Sequence, residues 1–121
     1  MFRALNRRVA ERWKFVSFRG KGKGEWRGVV DLVAIRKDTS QPSNSRLKRG
    51  DLFELILVQI KGGSARAPTK EDCVRLREVA RQYAARAVVL FEWKRGVSWR
   101  LLVLDLRTLR WIETLGDVVF A

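Results

Sequence analysis

The stretch Asp51-Leu-Phe-Glu-Leu-Ile-Leu-Val-Gln-Ile-Lys-Gly-Gly63 decides how the rest of the chain is read, with Gly28-Val-Val-Asp-Leu-Val-Ala-Ile35 as its companion. Each carries apolar residues on both faces, the pattern of a strand buried in the middle of a sheet. Into these strands are set three polar side chains, Asp31, Gln59 and Lys61. A carboxylate or an ammonium among apolar neighbours costs several kcal/mol, on the scale of a domain's whole stability, unless an opposite charge or a metal compensates. Alternation puts Gln59 and Lys61 on one face with Phe53, Leu55 and Leu57. It turns Glu54 to the other face with Ile56, Val58 and Ile60, away from the polar group. Asp31 and Lys61 meet only if their strands are neighbours, as consecutive antiparallel strands usually are.

The composition narrows the chemistry. At 121 residues and 46 % hydrophobic, the chain suits one compact domain over 1–121 and is too short for two. Twenty-six Lys and Arg against thirteen Asp and Glu leave a net charge of +13, which calls for a polyanionic partner. The basic residues are spread through strand-rich sequence and do not gather on one membrane-surface helix, so nucleic acid is the expected partner. Arginine outnumbers lysine, which suits bidentate phosphate contacts, although a genome's base composition gives the same bias. One cysteine, Cys73, and no histidine exclude an internal disulfide, zinc-histidine and cysteine-rich zinc sites, Ser-His-Asp triads and an imidazole base. A phosphodiester hydrolase of this composition must work with carboxylates, an amide, a lysine and a hard cation such as Mg²⁺. No run of about eighteen apolar residues marks a membrane span, and no apolar secretory core follows the start. The expectation is a cytoplasmic protein with no membrane partner, although the basic residues 1–8 also fit an organelle transit peptide.

Taken in order, residues 2–13 suit a helix, with Phe2, Leu5, Val9 and Trp13 at three- and four-residue spacing. Residues 14–18 read as a short strand. Gly20, Gly22 and Gly24 then alternate with Lys21 and Lys23, but Glu25 and Trp26 stand where a phosphate loop needs its lysine and hydroxyl. With Arg27, this segment is either a basic hairpin on a nucleic-acid backbone or a solvated turn. Residues 36–50 have loop composition throughout and predict a long, mobile connection between antiparallel strands. Arg46, Lys48 and Arg49 there are either a DNA-grasping arm or simply solvated; Arg66, in the loop after Lys61, is a further basic contact.

Thr69 as N-cap with Asp72 three residues later predicts a helix over 70–86, with Cys73, Leu76, Ala80, Tyr83 and Ala87 on one face. Cys73 is then a small core residue. Residues 87–93 read as a buried strand, 94–97 as a turn and 98–105 as its hairpin partner. The tail over 106–121 fits a short helix or one more strand. Its Trp111, Ile112, Leu115, Val118, Val119 and Phe120 are too apolar to be left exposed, and either cover an open face of the sheet or form a dimer contact. The five tryptophans serve packing or base stacking.

An aspartate in one central strand, Gln-x-Lys ending the next and running into Gly62-Gly63, and the order helix, three strands, helix, strand together resemble the PD-(D/E)XK nuclease superfamily. The variant is the one with glutamine before the lysine, as in Mrr-type restriction endonucleases. The resemblance covers roughly 1–95 and departs from the full pattern at Gln59, which takes the acidic slot, and in having no proline before Asp31. It implies an α/β, restriction-endonuclease-like fold with a central mixed sheet, an αβββαβ core and flanking helices. It also implies Mg²⁺- or Mn²⁺-dependent hydrolysis of DNA phosphodiesters. Asp31 would be the main metal ligand, with the Gln59 side chain and the Ile60 carbonyl supplying oxygens. Lys61 would orient or help deprotonate the attacking water. Related nucleases hold the metal with a glutamate on the first helix, here Glu11, although helical geometry puts it nearly opposite Leu5 and Val9; Glu25 is its substitute. The loss of one negative charge at Gln59 lowers the expected metal affinity. A mutual Asp31–Lys61 ion pair without metal gives the alternative, a non-catalytic DNA- or RNA-binding module of the same fold. A protein-interaction domain with incidental charge is a third. Small size favours recognition of shape over sequence, as in archaeal Holliday-junction resolvases, and a homodimer is compatible with each.

Overall fold

The computed structural model of the chain describes residues 12–18, 28–62, 67–93 and 99–121. Within these, six strands form one sheet: β1 (Lys14–Ser17), β2 (Leu32–Lys37), β3 (Phe53–Gly62), β4 (Ala87–Trp93), β5 (Arg100–Asp105) and β6 (Arg110–Thr114). Their spatial order is their chain order. Helix α1 (Lys70–Gln82) joins β3 to β4, and a single turn, α2 (Gly116–Val119), follows β6. Neighbours pair antiparallel except β3 and β4, which are parallel. A parallel pair cannot be closed by a tight turn, so the chain crosses over, and α1 is that crossover. The sheet is mixed as expected. Of the expected flanking helices, α1 is the one substantial helix among the described residues. The helix expected over 2–13 lies outside them except for Arg12 and Trp13, and so does the turn at 94–97.

The alternation along β3 sorts its side chains between two cores. Ile56 and Val58 pack with Leu32, Ala34, Val89 and Phe91 on one face. Leu57 packs with Val88 and with Cys73, Leu76 and Ala80 of α1 on the other. The start of α1 is closed by a capping box: the Thr69 hydroxyl accepts the Asp72 N–H at 3.1 Å, and the Asp72 carboxylate accepts the Thr69 N–H at 3.0 Å. The helix ends at Gln82 and not at 86, because Ala84 enters the left-handed region at φ 50, which breaks the helical path. Tyr83, expected on the apolar stripe, is therefore a C-cap with 63 % of its surface exposed, and Ala87 opens β4. The groove left on the α1 side of β1 to β3, about 420 Å³, is lined by apolar side chains including Val33, Leu55 and Tyr83.

Two further segments take definite form. The connection over 38–52 is built from local turns and not from free chain. Ser40 donates its N–H and hydroxyl to the Asp38 carboxylate, Arg46 N–H donates to Asn44 Oδ1, and Lys48 N–H donates to the Asp51 carboxylate. The tail is only half buried. Val119 and Phe120 tuck into the core opposite α1, where the Trp13 indole donates to the Phe120 carbonyl at 2.9 Å. Ile112, Leu115 and Val118 stay exposed, since β6 is an edge strand and α2 is one turn long. Among the described residues no helix is long and apolar enough to cross a membrane.

Phe120 is fully buried and Leu115 is 69 % exposed, so Phe120→Ala should cost about 3–5 kcal/mol in urea unfolding. Leu115→Ala should stay within about 0.5 kcal/mol of wild type; equal losses would contradict the packing described for the tail.

Candidate active site

Asp31 stands one residue before β2, and not inside a strand over 28–35. Three hydrogen bonds to described residues help to fix it there. Its N–H donates to the Val58 carbonyl at 2.9 Å, its carbonyl accepts the Phe18 N–H at 2.9 Å, and its carboxylate accepts the Ile60 N–H at 2.6 Å. The side chain thus takes a main-chain donor of β3, and the β2–β3 ladder starts only at Leu32 and Val58. A charge-assisted bond of this length holds a carboxylate more firmly than a neutral one would. It also places Asp31 against the Gln59–Ile60 peptide, one residue before Lys61.

Gln59 is the one buried polar side chain among the described residues, 5 % exposed. Its Oε1 has no hydrogen-bond partner there. A buried acceptor left unmatched costs about 1–3 kcal/mol; Arg77 Nε and Trp111 Nε1 likewise lack a hydrogen-bond partner among the described residues. Lys61, half-buried and two residues on, shares the face on which Leu57 meets α1. Its charge reaches Asp72 at the start of α1. The Asp72 carboxyl is held below the usual carboxylate range chiefly by the Thr69 N–H, then by the Thr69 hydroxyl, with lesser help from Lys61 and Arg75.

The sheet brings Asp31 and the Gln59–Lys61 segment to adjoining places on neighbouring strands and sends other residues elsewhere. Glu54 faces away, as alternation required. It pairs with Arg36 at 2.6 Å and Arg86 at 3.5 Å, and both guanidinium groups lie over the Trp13 ring. Arg46, Lys48 and Arg49 sit in the connection leaving the Lys37 end of β2, while Asp31 adjoins its other end; six residues of strand span roughly 20 Å. Glu11, Glu25, Lys21, Lys23, Arg27 and Arg66 lie outside the described residues. Cys73 is a core residue, and burial pushes its thiol pKa up. Among the described residues no three Asp, Glu or Cys side chains gather as a metal-holding group.

One acid escaped sequence reasoning. Glu92 of β4 is the parallel-strand partner of Lys61, so the two project from the same face. It also pairs with Arg100 at 3.2 Å. Nothing local marks Glu92, because the register of a parallel pair is set through a crossover that no turn residue specifies. The oxygens on this part of β3 and beside it are the Asp31 carboxylate, Gln59 Oε1 and the Ile60 carbonyl, which in a strand faces the same edge as the Ile60 N–H. Such an all-oxygen set fits a hard divalent cation.

No family model matches the chain, and no curated protein matches it. Among solved structures, the chain is similar to a Holliday junction resolvase, Hjc, of the archaeal hyperthermophile Archaeoglobus fulgidus, at 15 % sequence identity and a TM-score of 0.42, covering 88 % of this chain and 78 % of that one.

With divalent cations chelated, Gln59→Leu should stabilise the protein by roughly 1 kcal/mol, because it removes an unmatched buried oxygen. Asp31→Ala should destabilise it by about 1–3 kcal/mol, because Ile60 loses its acceptor. Urea titrations of the three proteins decide this; a Gln59→Leu protein weaker than wild type would mean that the amide is matched.

Proposed function

We propose that the chain is a divalent-metal-dependent DNA endonuclease of the PD-(D/E)XK type, with Asp31, Gln59 and Lys61 at its centre. The observation that carries the proposal is an unmatched, buried Gln59 oxygen next in the chain to the peptide that anchors the Asp31 carboxylate. The Asp31 carboxylate, Gln59 Oε1 and the Ile60 carbonyl would hold Mg²⁺ or Mn²⁺, with Glu11 or Glu25 as a further acidic ligand. Bound there, the ion would polarise the scissile phosphate and acidify its water.

The chain's own residues do the rest. Asp31 is kept from rotating by the Ile60 N–H, so its carboxylate has a fixed direction. Lys61 orients or helps deprotonate the water and steadies the negative charge that builds on the phosphate during in-line attack. The net charge of +13 draws the polyanion to the surface and makes its binding steeply dependent on salt.

A second reading is favoured by Gln59 itself. An amide where an acid is usual leaves the ligand set one negative charge short, and metal binding weakens accordingly. On that reading the chain is a nucleic-acid-binding module without chemistry. Plasmid, linear and branched DNA incubated with the protein in Mg²⁺ or Mn²⁺ separate the two. The nuclease reading expects cleavage that falls about a hundredfold or more in Asp31→Ala and in Lys61→Ala. Binding without cleavage by wild type would select the second reading, and cleavage by both variants at the wild-type rate would remove these residues from the mechanism.

A further inference from the structure

The other end of the same sheet face carries a second group of residues. A pocket of about 340 Å³ is walled by Arg12, Lys14, Ile35, Arg36, Lys37 and Phe53. Lys14 lies opposite Ile35, and Lys37 opposite Phe53. Cross-strand partners share a face, so the pocket opens on the face that carries Gln59 and Lys61, roughly 20 Å further along β3. Phe53, the first residue of β3, is 60 % exposed and presents its ring to the pocket. Among the described residues the acids nearest in sequence are occupied: Asp38 accepts from Ser40, Asp51 accepts the Lys48 N–H, and Glu54 holds Arg36 and Arg86. Among the described residues no carboxylate pairs with Arg12, Lys14 or Lys37, whereas Arg36 is committed to Glu54 and the Trp13 ring.

An exposed aromatic ring ringed by uncommitted cations has the makings of a stacking platform for a base whose phosphates are held at the rim. Duplex DNA offers the cations its phosphates but keeps its bases stacked in the helix, so it has no use for Phe53. We infer that the Phe53 end of β3 is a nucleic-acid contact separate from the candidate active site, and that it takes unpaired nucleotides, with a base on Phe53 and phosphates on Lys14, Lys37 and Arg12. The contact rests on the nucleic-acid half of the proposed function and not on its chemistry. The substrate would then carry a single-stranded segment or flap, gripped about 20 Å from the phosphate to be cut.

The test is fluorescence anisotropy with a labelled oligothymidylate and a duplex of equal length, in EDTA so that no cleavage intervenes. Phe53→Ala should weaken oligothymidylate binding about tenfold and duplex binding less than twofold. Phe53→Leu keeps the apolar bulk and should lose the same affinity, and Phe53→Trp should retain it. The double variant Lys14→Ala/Lys37→Ala should weaken both ligands and flatten the salt dependence for the single strand by about 0.7 log units per lost phosphate contact. Because divalent cation is absent, the binding measured here is read separately from any cleavage, which keeps this contact distinguishable from the active site. Phe53→Leu binding the single strand like wild type, equal losses for the two ligands in Phe53→Ala, or an unchanged salt slope in the double variant would each overturn the assignment.

Discussion

The hydrogen bond from the Ile60 N–H to the Asp31 carboxylate couples the fold to the chemistry. It uses a side chain where a sheet ordinarily uses main chain, so the pairing of β2 with β3 gives way at the position where two polar residues of β3 need room. Had the ladder run on, a carbonyl would have taken the Ile60 N–H and this half-buried carboxylate would have lost a main-chain donor, a change of about 1–3 kcal/mol. Ending the ladder at Leu32 solves both problems together. It gives the acid a main-chain donor and leaves Gln59 and Lys61 beside it on the next strand.

How much of this could be read beforehand depended on whether the signal was local. The apolar alternation in β3 and β4 is dense enough that the bounds of β4 match residue for residue and β3 begins two residues into the quoted stretch. The Thr69–Asp72 cap was equally legible, since both partners lie within one helical turn. Asp31 was assigned to the right neighbour but to the interior of a strand, because nothing in Val-Val-Asp-Leu-Val says that the acid will intercept a main-chain donor twenty-nine residues away. The end of α1 was missed for a related reason: Tyr83 continues the helical spacing, and only the left-handed turn at Ala84 shows that the chain has already left. Glu92 beside Lys61, and Lys37 beside Phe53, are products of register, a tertiary property.

The excess positive charge is distributed in two distinct manners. Arg36 and Arg86 are consumed internally, joined through Glu54 and laid over Trp13, where guanidinium planes pack as much as they attract. Arg100 likewise bridges Glu92 and Glu113 across three strands. Counting basic residues therefore overstates the field that a ligand meets. What a polyanion feels is the remainder, and that remainder is set around the faces and connections described above.

The Trp13 indole and the Phe120 carbonyl join positions 107 residues apart in the chain, and the layer of side chains opposite α1 closes on them. During synthesis, every strand can leave the ribosome while that layer still lacks its last ring. That layer of the nascent chain can close fully only once residue 120 has emerged. Until then the repulsion between copies of a chain with a net charge of +13 works against their association through it.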